Sequence, residues 1–108
     1  KEMTLEALSG VWEGQSISFS GSKTSWSNTC LEFRSTPNFG PVQVIGNGES
    51  KWHNRTICFH AVGTVDAEGC FQLYKTHLGE FTNTLLFTGH VMLPEGDASR
   101  AVMKGTYC

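Results

Sequence analysis

Four cysteines (30, 58, 70 and 108) and four histidines (53, 60, 77 and 90) are the residues of this 108-residue chain with the most chemistry to offer. A zinc site normally takes ligands close together, as Cys-x2-4-Cys or His-x3-5-His pairs. Neither spacing occurs here, so no metal and no cofactor are expected. None of the histidines falls in a nucleophile or zinc-protease motif. His60 and His90 would need a carboxylate supplied by the fold, and Glu13, Glu32, Asp66, Glu68 and Glu80 are scattered without a paired spacing. Acids at hairpin ends are usually solvated turn residues. The expectation is a protein that is not an enzyme.

An even number of cysteines in a short chain points instead to two disulfides and an oxidising compartment. Asn54-Arg55-Thr56 matches a glycosylation acceptor, which fits the same compartment. The chain opens at Lys1 rather than Met, as a processed chain or a trimmed one would. A secreted, extracellular protein is therefore expected. The net charge of −2, with no run of Lys or Arg, gives no footprint for nucleic acid. No apolar stretch is long enough for a membrane-spanning helix.

The elements that must position these residues read as short strands. Turn signals stand at Ser20-Gly21-Ser22, Thr36-Pro37-Asn38, Asn47-Gly48, Asp66-Ala67-Glu68-Gly69, Leu78-Gly79-Glu80 and Pro94-Glu95-Gly96-Asp97. Between them lie segments rich in Thr, Val, Phe and Ile, which suit a pleated surface. Strands are expected near 11–19, 25–34, 42–46, 56–66, 70–77, 81–93 and 100–107, with a helical turn only over 3–8. The fold class is all-β: one domain over 1–108, an up-and-down antiparallel meander closing into a small barrel of seven or eight strands.

The second half can be tested for consistency. A three-residue loop at 67–69, with Gly69 left-handed, puts Asp66 opposite Cys70, so odd residues face odd residues. The same rule at 78–80 pairs His77 with Phe81. Side chains alternate along a strand, so parity labels the two faces. The odd face reads Ile57, Phe59, Ala61, Val65, Phe71, Leu73, Phe81, Leu85, Phe87, Val91, Leu93, Ala101, Met103 and Tyr107. The even face is mostly Thr, Gln, His and Cys, with Val62, Leu86 and Met92 as exceptions that mark a covered outside. Cys58 and Cys70 lie at opposite ends of one hairpin, roughly 25 Å apart at ~3.3 Å per residue. They cannot pair, because a disulfide needs α-carbons within about 7 Å. That leaves 30–58 with 70–108, which is favoured because Cys70 and Cys108 share a face, or 30–70 with 58–108.

Gly10-Val11-Trp12, after a short helical candidate and opening the first strand, resembles the Gly-x-Trp entry of lipocalins and related calycin barrels, including the avidin-like ones. The rhythm from Gly63-Thr64-Val65 through Phe71-Gln72-Leu73-Tyr74-Lys75 to Gly105-Thr106-Tyr107 is similar to their meander. The resemblance implies a Trp that closes one barrel end and a late Arg, here Arg100, packed across its ring. It implies eight strands where seven are counted. The biotin-site pattern of avidins is not recognisable, so no ligand is carried over.

An eight-stranded barrel has room for side chains or for one small ligand. The large odd-face residues are expected to fill it, which leaves loops as the working surface. Phe39 would be exposed at the tip of a loop restricted by Pro37 and Pro41, with Asn38 beside it, and a rigid aromatic anchor loses little entropy on binding. Trp52 and His53 sit in a second polar loop over 47–54. The leading expectation is a non-enzymatic binding protein for an extracellular protein target, such as an inhibitor or effector of a hydrolase. It would make contact through Pro37, Asn38, Phe39, Trp52 and His53. The alternative is a lipocalin-like carrier of a small apolar ligand.

Overall fold

A computed structural model describes residues 5–35, 40–79, 83–93 and 101–108. Seven strands follow in chain order: β1 (Gly10–Ile17), β2 (Lys23–Arg34), β3 (Val42–Trp52), β4 (Arg55–Val65), β5 (Cys70–His77), β6 (Thr84–Met92) and β7 (Val102–Tyr107). Each pairs antiparallel with the next, giving one sheet in the order β1 to β7. The meander expected from the turn spacing is the fold. It curls into a half-barrel. β1 and β7 each pair on one side only, so among the described residues the barrel is not closed.

Parity holds through the second half. β4 and β5 pair Phe59 with His77 and Val65 with Phe71, as the 67–69 loop requires. Gly69 is left-handed at φ 87°, and Asp66 Oδ1 accepts hydrogen bonds from the amides of Glu68 and Cys70 at 2.9 Å. β5 and β6 pair Thr76 with Thr84, so His77 meets Asn83 rather than Phe81. The loop is two residues longer on that side than expected. Two is a full pleat period, so the faces survive the shift. The concave face buries Leu31, Phe33, Val44, Phe59, Ala61, Val65, Phe71 and Leu73, with Leu8 against them. Phe87, Val91 and Met103 on β6 and β7 are only partly buried, and among the described residues no strand covers them from the far side.

Four expectations need correction. First, the strand expected at 42–46 runs on to Trp52, and Asn47-Gly48 lies inside it. Gly48 is there for space: a Cβ would collide with Thr29 Oγ1 and press the Phe59 ring. The actual turn is His53-Asn54, both with positive φ (47° and 62°). That two-residue conformation matches the twist of the flanking strands. Second, the helical turn expected over 3–8 is not found as such among the described residues, which start at Leu5. Leu5–Leu8 is a single short 3-10 segment.

Third, the cysteines are free. Cys30 stands opposite Asn47 and Cys58 opposite Glu49, so β3 separates them. Cys70 stands opposite His90 and Cys108 opposite Leu86, so β6 separates those. Two strand spacings are about 9.5 Å, beyond the reach of a disulfide. The alternative pairings cross still more strands. Fourth, nothing among the described residues covers the outer-face exceptions: Val62 and Met92 are about half exposed. Ile45, Val62, Tyr74 and Leu86 are successive cross-strand partners and form one apolar row between polar rows.

Candidate functional site

Alternation places Lys75 on the concave face, between Leu73 and His77. It is only 1% exposed. Its Nζ lies 3.8 Å from the Trp26 ring centroid, 4.5 Å from Phe59 and 5.9 Å from Phe87. The rings touch each other: Trp26 meets Phe59 edge-on at 5.2 Å and Phe87 at 5.1 Å, and Tyr107 stacks on Phe87 at 4.9 Å. Trp26 is held by its own Nε1–H, which donates to Ser16 Oγ at 2.8 Å. Among the described residues no carboxylate is within ion-pairing distance of Lys75. Ring faces attract a cation, but they do not replace its water. Burial lowers the Lys75 ammonium from 10.5 to about 7.

Next along the same face lies a polar chain. His77 Nδ1 is 2.8 Å from Asn83 Oδ1, and its Nε2 is 3.1 Å from the oxygen of Ser50, itself buried. An amide oxygen only accepts. Nδ1 therefore carries the proton, and Nε2 accepts from the Ser50 hydroxyl. The order Ser, His, Asn has the outline of a nucleophilic triad. The electrostatics oppose that role. Burial, and then the charge of Lys75, hold His77 below its ordinary value of 6.5, against the Asn83 hydrogen bond that raises it. The third member here is a neutral amide, and the Lys75 charge disfavours the imidazolium that such a triad forms. The chain satisfies buried polar groups.

Between β1 and β7 the sheet leaves a cleft of about 860 Å³. Trp12, Trp26, Leu31, Leu73 and Phe87 line it from β1, β2, β5 and β6, and Met103 and Tyr107 from β7. One edge is legible in detail. Cys108 and Leu86 exchange both backbone hydrogen bonds, at 3.1 Å. Hydrogen-bonded pairs alternate along an antiparallel ladder. Met103, Gly105 and Tyr107 therefore turn their N–H and C=O groups away from β6, toward the cleft. Phe19 in the β1–β2 turn lines the mouth and is fully exposed.

Of the residues expected at the site, the structure describes Trp52 and His53. Pro37, Asn38 and Phe39 lie outside the described residues, as do Phe81 and Arg100. Trp52 ends β3 and is 40% exposed; its Nε1–H donates to Ser22 Oγ at 2.8 Å, and its ring meets His53 at 4.4 Å. Trp12 packs on Phe33 at 5.9 Å, and its Nε1–H donates to the Leu8 carbonyl at 3.0 Å. Asn54 is exposed in its turn. On the convex face His60 is exposed, and His90 Nε2 lies 3.1 Å from Cys70 Sγ. That thiol is not activated, because burial and the charges of Asp66 and Glu68 push it above its usual range. Among the described residues no three metal-ligating side chains gather, and no helix is long and apolar enough to cross a membrane.

Lys75 and Phe19 escaped the sequence reading. Parity alone places Lys75 between Leu73 and His77 on the apolar face. Nothing in the sequence marks Phe19, because its value comes from lying beside the cleft. Comparison with protein-family models, with curated proteins and with solved structures returns no match, so the chain's role has to be read from its own geometry.

Proposed function

We propose that this is a non-enzymatic binding protein that holds an extended segment of a partner protein in the cleft between β1 and β7. The observation that carries the reading is the row of backbone donors and acceptors on Met103, Gly105 and Tyr107, beside an apolar floor. An open strand edge is a template for another strand. A six-residue β7 fits a partner strand about 20 Å long, with alternate side chains directed onto Trp12, Trp26 and Phe87. Phe19 at the rim supplies an aromatic anchor, the role expected of Phe39. An extracellular partner, such as a hydrolase held by this protein as inhibitor or effector, fits the Asn54 acceptor; the cysteines lend that setting no support.

Selection of extended hexapeptides from a displayed library, followed by hydrogen exchange, tests this. Bound peptide should protect the amides of Gly105 and Tyr107, and Phe19→Ala should weaken it about ten-fold, roughly 1.4 kcal/mol, without lowering Tm. Binders that leave those amides exchanging freely would sink strand capture. A small apolar ligand is the second reading. The cleft volume lies within the roughly 300–1,000 Å³ of ligand pockets. A shift of Trp fluorescence with a fatty alcohol, unaffected by peptide, would favour it.

A further inference from the structure

We propose that Lys75 is a carbonyl-capture site, whose ε-amino group forms an imine with a small apolar aldehyde entering through the cleft between β1 and β7. This reaches beyond strand capture and needs only that a small molecule can enter the cleft. Trp26 and Phe87 line the cleft on one side and lie against Nζ on the other. Lys75 itself does not line the cleft, so an aldehyde reaches Nζ when the Trp26 or Phe87 side chain turns aside, for Trp26 at the cost of its hydrogen bond to Ser16. The ring faces suit a flat, conjugated or aromatic aldehyde. Such a molecule is uncharged and loses little by leaving water, whereas a carboxylate would have to be desolvated against the same apolar wall.

Burial makes the chemistry available. Burial lowers the Lys75 value to about 7, which brings the free lone pair into the neutral pH range. That lone pair attacks the carbonyl carbon and gives a carbinolamine. The former carbonyl oxygen then leaves as water with the two hydrogens of the amine, and a C=N bond stands where C=O stood. No oxidant or reductant takes part, and the step reverses by hydrolysis. The same aromatic packing that holds bulk water off Nζ slows that reversal.

The full chain treated with cinnamaldehyde and cyanoborohydride, then digested and mapped by mass spectrometry, tests the proposal. Reductive trapping should modify Lys75 at least about ten-fold faster than the exposed Lys23, Lys51 and Lys104, the advantage expected of an amine desolvated in an apolar pocket. The preference should vanish in denaturant. Lys75→Met should remove the adduct, but the site map in the native chain stands whether or not that variant folds. Labelling of Lys75 no faster than of the surface lysines overturns the proposal. Peptide capture is read by amide protection, so either result can fail without the other.

Discussion

Lys75 and Cys70 lie on the same strand, five residues and one sheet face apart, and their environments act in opposite senses. Among the described residues Lys75 has no partner but aromatic rings, and burial brings its amine toward neutrality at about 7. Cys70 has a histidine 3.1 Å from its sulfur, the arrangement usually associated with a reactive thiol, yet burial and two neighbouring acids disfavour its thiolate. The side chain among aromatic rings is shifted toward its nucleophilic form, and the one beside a histidine is shifted away from it. Proximity of a base does not activate a group; the balance of solvation and charge around it does.

The strongest way to break this contrast is Phe59→Ala. Phe59 is 0% exposed and forms one wall of the cage. Its loss should cost about 3–5 kcal/mol by chemical denaturation and let water reach Nζ, returning the Lys75 value toward 10.5. Val62→Thr, on the outer face of the same strand, should stay within about 0.5 kcal/mol. Equal losses at the two positions would contradict the assignment of faces.

Next is the pH dependence that Lys75 imposes. Its folded value lies below its ordinary one, so the unfolded chain binds more protons between about pH 7 and 10. Stability therefore rises with pH across that window, by roughly 2 kcal/mol from pH 7 to 9 at about 1.4 kcal/mol per unit. Urea midpoints should show the rise in the native chain and a flatter profile in Lys75→Met. His77 adds a smaller slope on the acid side. Its folded value is also lowered, so stability present above 6.5 is lost as pH falls below it.

The outer residue gives a rate rather than an energy. Iodoacetamide should modify Cys70 more slowly than Cys58 or Cys108, read by mass spectrometry of the digested chain. Glu68→Gln should speed Cys70 by removing one of the opposing charges. A Cys70 that reacts fastest of the four would mean His90 governs it after all. A small effect is expected at Trp52→Phe, which loses one hydrogen bond to Ser22 at the surface, about 0.5–1.5 kcal/mol by urea denaturation.

Much of this was legible in the residues. Asp66 to Gly69 fixed one turn, the turn fixed a register, and the register assigned the strand side chains of β4 to β7 to a face. The shift at His77–Asn83 left the faces alone because it was even. Other readings failed for physical reasons. Asn47-Gly48 has the composition of a turn, but the chain runs straight because Thr29 and Phe59 need the space a side chain would fill. Cysteine count pointed to pairing, but pairing depends on a spacing that counts do not contain.

The sequence by itself determined the local alternation in the second half: which face each strand side chain takes, and that Lys75 stands among apolar neighbours. Only the tertiary structure decided the rest. Curling of the sheet brought Trp26 of β2 and Phe87 of β6 to the same amine, though they are 61 residues apart in the chain. It left β1 and β7 apart, with a cleft between them. Alternation is a property of neighbours along the chain. Distances between faces depend on how far the sheet bends, and that is set by the packing of all seven strands together.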